Sequence, residues 1–189
     1  MTVAALEPLQ REAFACDADI LARRLLGCLV QVRSGPERRH ARIVETEAYL
    51  GERDLACHAS KGRTKRTESL YGPPGSAYVY LVYGMHRMFN VVAGAAGDPQ
   101  AVLVRAVEPL DFGARTHGPG LLATALGIEL SDDRQDLISG RIRILADVTP
   151  RRIAVGPRIG VGYAGPWAGA PLRFGDAANR HLSRRFPAP

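Results

Sequence analysis

Ile43-Val44-Glu45-Thr46-Glu47-Ala48-Tyr49-Leu50-Gly51 decides how this chain is read. It sets two glutamates and a tyrosine at alternate positions of an otherwise apolar, strand-like run. A strand repeats every two residues, so Glu45, Glu47 and Tyr49 share one face while Val44, Ala48 and Leu50 share the other. If the second face is buried against a core, the first presents an acid pair beside an aromatic surface. Such a surface suits hydrolytic chemistry on a flat substrate, although glutamates on a half-exposed strand are also commonly just solvated.

The flanking sequence supplies a frame for that strand. Asp17 is placed to cap a helix over 18–26 that Gly27 ends. Strands are expected over 28–33 and 41–50, joined through Ser34, Gly35 and Pro36. Residues 51–75 read as a long loop, and long ordered loops tend to be functional. Next come 77–83 and 88–92, a hairpin whose tip holds Tyr83, Gly84, Met85 and His86. A strand over 101–107 carries Arg105 in an apolar setting. An unpaired charge there costs several kcal/mol, so Glu45 or Glu47 should meet it. Pro119 opens a helix over 119–126 that Gly127 closes, and late strands are expected over 141–145 and 153–155. The glycine-rich stretch 156–165 lacks the phosphate-binding and dinucleotide patterns, which leaves close backbone approach as its expected use.

Composition narrows the partner. The 189 residues, 46% hydrophobic, suit one domain with its own core, with about 175–189 open to being a flexible tail. No apolar run approaches the roughly 20 residues of a membrane span, and the N-terminus lacks an export signal. Three cysteines, Cys16, Cys28 and Cys57, show no paired spacing, so no disulfide or zinc site is suggested and a reducing cytoplasm fits. The net charge of +6 and the basic cluster Lys61, Arg63, Lys65 and Arg66 favour a polyanion, with nucleic acid foremost. Shorter basic runs occur at 38–40, 141–143, 151–152 and 184–185.

Several separated motifs then carry a resemblance. The E-T-E-A-Y-L-G run, P-G-x-x-Y-V-Y-x-x-Y-G-M between Pro74 and Met85, Asn90, L-V-R-A-V-E-P-L over 103–110, and P-R-I-G-V-G-Y-A-G-x-W with P-L-R-F between 157 and 174 appear in order. Together they resemble the 3-methyladenine DNA glycosylase family of the alkyladenine type. Residues 59–71 and the His86-Arg87 pair depart from its familiar pattern.

The resemblance implies an α/β (α+β) fold. It would be a single mixed domain with a curved antiparallel sheet, surrounding helices and a protruding hairpin that enters the DNA minor groove. It implies a monofunctional enzyme that flips a damaged purine from double-stranded DNA and hydrolyses its N-glycosidic bond, acting as a monomer without metal or cofactor. Glu47 would be the general base for water, Arg105 would position it, and the Ile159 carbonyl would be a further water contact. Tyr49, His58 and Tyr80 would sandwich the base, and Asn90 would disfavour guanine. Tyr83 would wedge into the vacated stack beside Met85, while Lys61, Arg63, Lys65 and Arg66 would meet phosphates.

Physical chemistry agrees with these roles. An ionised glutamate can accept a water proton and stabilise cationic sugar character, and aromatic stacking returns roughly 1–3 kcal/mol per base against the cost of flipping. A zinc deaminase would need H-x-E and P-C-x-x-C patterns that are missing. A Schiff-base lyase would have to use Lys61 or Lys65, the sole lysines. A non-catalytic minor-groove binding module is the remaining alternative, and it leaves Glu47 and Arg105 without a purpose.

Overall fold

The computed structural model describes residues 6–147, 150 and 152–187. Helices α1 (Arg11–Phe14) and α2 (Ala18–Leu25) precede strands β1 (Leu29–Ser34) and β2 (Glu37–Tyr49). Strands β3 (Ala77–Val82), β4 (His86–Ala93) and β5 (Gln100–Pro109) follow, then helix α3 (Pro119–Leu126). Strands β6 (Ile142–Leu145), β7 (Ile153–Gly156) and β8 (Arg173–Asp176) complete the set. They form one curled antiparallel sheet in the order β3-β4-β5-β2-β1-β6, with β8 beside the second half of β2 and β7 beyond it. Helices are few, and α2 and α3 pack on the central strands β2, β4 and β5.

Strand β2 is the centre of this sheet, and an irregularity in it decides which side chains reach the site. Its register against β5 shifts between Ile43 and Glu45 and shifts back between Glu45 and Thr46, leaving Val44 and Arg105 without cross-strand partners. Each bulge inverts the inside-outside alternation of the residues beyond it. Before the bulge the odd-numbered Ala41 and Ile43 enter the main core; after it Ala48 does, while Thr46 donates from its hydroxyl to the Ala22 carbonyl of α2 at 2.9 Å. A regular strand would have driven Glu45 and Glu47 into the same core as Ile43. The expectation that Val44 shares the core face of Ala48 is corrected accordingly: Val44 is buried but lies at the bulge, outside the main core cluster.

Helix α2 buries Ala18, Leu21, Ala22 and Leu25, the spacing of one apolar stripe. Asp17 holds the N-cap position without capping through its side chain. Gln100 performs that task, accepting from the Ala18 N–H at 2.9 Å and donating to Asp17 at 3.1 Å. Helix α3 begins with Pro119 and ends at Gly127 as the sequence predicts.

The stretch 51–75 differs from an open loop: it carries 3-10 turns at Gly51–Arg53, His58–Lys61 and Glu68–Tyr71. Strand β8 and helix α1 have no counterpart in the sequence reading. Of the residues open to being a tail, Gly175 and Asp176 finish β8 and the coil after them folds back onto β2 and β8. Arg151, part of one basic run, lies outside the described residues.

Candidate active site

Glu47 is completely buried at the middle of the sheet, yet three groups are aimed at its carboxylate. The Ile159 N–H donates to Oε1 at 2.8 Å, the Tyr49 hydroxyl donates to Oε2 at 2.9 Å, and Arg105 Nη1 stands 3.3 Å from Oε1. The glycine-rich stretch therefore does bring its main chain close, as expected, and it does so through the N–H of Ile159. Burial pushes the Glu47 carboxyl above the ordinary carboxylate range; Arg105, the Ile159 N–H and the Tyr49 hydroxyl pull it back down, and Glu45 adds a push upward.

Tyr49, Arg105 and Ile159 each also line a cavity of about 550 Å³, large enough for a purine-sized ligand. Tyr80, His58 and Asn90 line it too, so the structure gathers the predicted pocket residues around one space. His58 and Tyr80 meet edge to face with ring centroids 4.6 Å apart. His58 Nδ1 lies 3.0 Å from the hydroxyl of Tyr78, which tilts against Tyr80 at 5.0 Å. Burial, helped by Arg66 and Lys61, lowers the His58 pKa to about 4. The imidazole is accordingly neutral at pH 7, and the cavity can receive a flat cationic ring without repulsion from it. Asn90 is buried, and its amide nitrogen donates to the carbonyls of Tyr78 at 3.0 Å and Met88 at 3.3 Å. That fixes the amide and leaves its oxygen as the free acceptor.

Tyr83 and Met85 sit at the tip of the β3-β4 hairpin, 88% and 66% exposed, and Tyr83 also lines the cavity edge. Both Tyr83 (φ +52°) and Gly84 (φ +70°) are left-handed, with the Met85 N–H donating to the Val82 carbonyl at 3.2 Å. A type I′ turn has this signature and matches the twist of its strands. Glycine adopts it freely, whereas a tyrosine there costs roughly 1–2 kcal/mol.

The basic cluster is not uniform. Lys61, Arg63, Lys65 and Arg66 are all exposed, but Arg63 is gripped by Glu68 through two hydrogen bonds of 2.9 and 2.6 Å and lies over the Tyr71 ring. Arg66 stands over Tyr80 at 5.6 Å and lines the cavity.

Sequence reasoning missed part of the support. Arg158 and Asp54 form a pair in which both side chains are fully buried, and the same guanidinium donates to the Ala48 carbonyl and covers the Tyr49 ring at 4.7 Å. Arg173 reaches Glu45 at 2.9 Å. The rule that exposed Arg105's need for a carboxylate applies equally to Arg173 between Leu172 and Phe174, and to Arg158 before Ile159. Tyr163, exposed on the glycine-rich turn, also lines the cavity. Among the described residues no three His, Cys, Asp or Glu side chains gather as metal ligands, and no helix is long and apolar enough to cross a membrane.

A buried carboxylate met by an arginine and a backbone N–H behind an aromatic-walled cavity is an arrangement suited to a hydrolase that acts on a bond to a flat ring. The comparisons narrow that class. The model of the methylpurine-DNA glycosylase family matches residues 12–180. A protein of Myxococcus xanthus (strain DK1622) is 50% identical over 184 residues, covering 95% of both chains. Proteins of Legionella pneumophila (strain Lens) and Anaeromyxobacter dehalogenans (strain 2CP-C) are 44% and 46% identical, covering 95% and 96% of this chain and 100% and 88% of their own. All three are named provisionally as 3-methyladenine DNA glycosylases. The chain belongs to the methylpurine-DNA glycosylase family, whose enzymes hydrolyse N-glycosyl bonds.

Proposed function

We propose that this protein is a monofunctional base-excision enzyme that flips alkylated or deaminated purines out of duplex DNA and hydrolyses their N-glycosidic bond, leaving an abasic site. The observation that carries this reading is the triple contact on Glu47. Each group that touches the carboxylate also walls the cavity, so a sugar-base bond at its mouth lies beside the base that must activate water.

In this reading Glu47, as carboxylate, takes a proton from water while that water attacks the anomeric carbon and the C–N bond breaks, its electron pair leaving with the purine so that a cationic alkylpurine departs neutral; charge developing on the sugar is stabilised by the same carboxylate. Arg105 orients Glu47, and the carbonyl of Ile159 supplies a further contact to the water. Tyr49, His58 and Tyr80 hold the extruded base. The Asn90 side chain, held by its two hydrogen bonds, takes up the space that the exocyclic amine of guanine would need. Tyr83 fills the vacated stack, with Met85 beside it, and the cluster around Lys61, Lys65 and Arg66 meets phosphates; Arg63, held by Glu68, contributes least. The substrates are 3-methyladenine, with 7-methylguanine, hypoxanthine and ethenoadenine as further candidates. The enzyme works as a monomer, in the cytoplasm, and no step of the reaction as proposed requires a cofactor.

The test is incubation of the purified protein, in EDTA, with methylated genomic DNA and separately with duplex DNA bearing one hypoxanthine. Release of free base with alkali-labile sites and no spontaneous strand cleavage is the expected result. Tight binding to both without release would replace this reading with a non-catalytic binding module.

A further inference from the structure

Behind Glu47 lies a second buried carboxylate that the proposed reaction does not use. Glu45 is completely buried and accepts hydrogen bonds from Arg173 Nη1 at 2.9 Å, the Ser183 N–H at 2.6 Å and the Ser183 hydroxyl at 2.9 Å, with Arg105 Nε at 3.5 Å. The Ser183 oxygen in turn accepts from Arg105 Nε at 3.1 Å. One hydroxyl thus donates to Glu45 and accepts from Arg105, which uses both capacities of the group. The guanidinium is planar and rigid, so holding Nε fixes the direction of Nη1, the atom that faces Glu47 at 3.3 Å.

The coil that brings Ser183 here has a built seat. A side chain at Gly175 would place its Cβ 2.5 Å from the Phe186 ring and 3.0 Å from Leu182, so only glycine admits the coil. Arg173 lies over the Phe186 ring at 3.8 Å and donates to the Arg184 carbonyl at 3.1 Å. Glu45 pairs with Gly175 and Glu47 with Arg173 across β2 and β8. Directly paired residues share a sheet face, which places the coil on the face that carries Glu47.

We propose that Ser183, delivered by the C-terminal coil, is a positioning residue for glycosidic hydrolysis: it locks Arg105 so that Nη1 meets Glu47. This rests on the excision reading above. Ser183 touches no substrate in this role and acts through Arg105. The groups facing Glu47 are Glu45 and Tyr49 on its own strand, Arg105 on β5, Arg173 on β8, Tyr80 on β3 and Arg158 before Ile159. Arg105 is the main cation lowering the Glu47 pKa. Loosening Arg105 moves the acid limb of the rate profile to higher pH, an effect that a purely structural role for the coil would not produce.

Ser183→Ala keeps the Ser183 N–H and Arg173 as donors to Glu45, so that carboxylate is not orphaned. Single-turnover release of free base from methylated duplex DNA is measured from pH 5 to 9, with binding to a duplex containing a stable abasic analogue as control. The expected result is a fall of about ten-fold on the acid side that narrows at high pH, with binding unchanged and Ser183→Thr restoring most of the rate. Phe186→Ala, which loosens the coil without touching the carboxylates, shifts the limb in the same direction and decides the matter if Ser183→Ala does not fold. An unmoved limb in both variants overturns the proposal. So does a Ser183→Thr variant as impaired as Ser183→Ala. A wild-type protein that releases no base refutes the excision reading instead.

Discussion

Glu47 is pulled in two directions, and the balance has a measurable sign. Burial lifts its pKa, while Arg105, the Ile159 N–H and Tyr49 lower it, and the net result stays above the ordinary value. In the proposed role of general base Glu47 works only when ionised, so activity is expected to fall as pH drops through that raised pKa. The acid limb of single-turnover excision therefore lies above the pH of about 4.3 typical of a free glutamate; a limb at or below that value would mean the carboxylate is not the titrating base. The same shift sets a stability sign. A folded pKa above the unfolded one gives a contribution fully present below the unfolded pKa and lost as pH rises through the folded one. At neutral pH the charged Glu47 thus lowers stability relative to acid pH. At this scale the sequence was informative where a charge sat in an apolar run: Arg105 demanded a carboxylate, and it meets both candidates, Glu45 and Glu47. It was silent on Ser183, whose neighbours Arg184 and Arg185 registered only as a short basic run.

Strand β2 shows what alternation can and cannot reveal. The side chains from Glu45 to Tyr49 alternate as read, but the two-residue period carried across Val44 would have given Ala41 and Ile43 the face of the glutamates. The bulges at Val44 and Arg105 break that continuity, and no residue type there announces them. The hairpin tip, in contrast, was legible because Tyr83-Gly84 sits between two β-rich runs. The stretch after β2 was read as a loop, and its anchor lies 104 residues away in sequence, where Arg158 donates to Asp54 Oδ1 at 2.8 Å. Both side chains are buried, so Asp54→Ala leaves an uncompensated guanidinium and lowers unfolding free energy by roughly 3–5 kcal/mol in a denaturant titration. A double variant, Asp54→Leu with Arg158→Met, recovers much of that loss by removing the stranded charge. Equal stability of Asp54→Ala and wild type would show that the pair does not hold this loop.

Across the whole molecule the site is assembled from segments far apart in the chain: β2, the turn at His58, the β3-β4 hairpin, β5, the glycine-rich stretch and the C-terminal coil. The ordered motifs covered β2, the β3-β4 hairpin, β5 and the glycine-rich stretch; His58 was reached through the family resemblance alone, and the coil by neither. The basic charge that pointed to a polyanion is spread unevenly. Arg141 is tied to Asp132 and Arg63 to Glu68, while Lys61, Lys65 and Arg66 stay exposed, Arg66 at the cavity wall. One carboxylate, Glu47, lies at the meeting point of these segments and bears the proposed reaction. Its most direct measurement is single-turnover excision from methylated duplex DNA by Glu47→Gln beside wild type. The amide keeps an acceptor for Ile159 and cannot take the proton. The predicted result is a loss of about 10²- to 10⁴-fold in rate, with lesion binding retained and a melting temperature at pH 7 no lower than wild type. A Glu47→Gln protein that releases base at the wild-type rate would contradict the account.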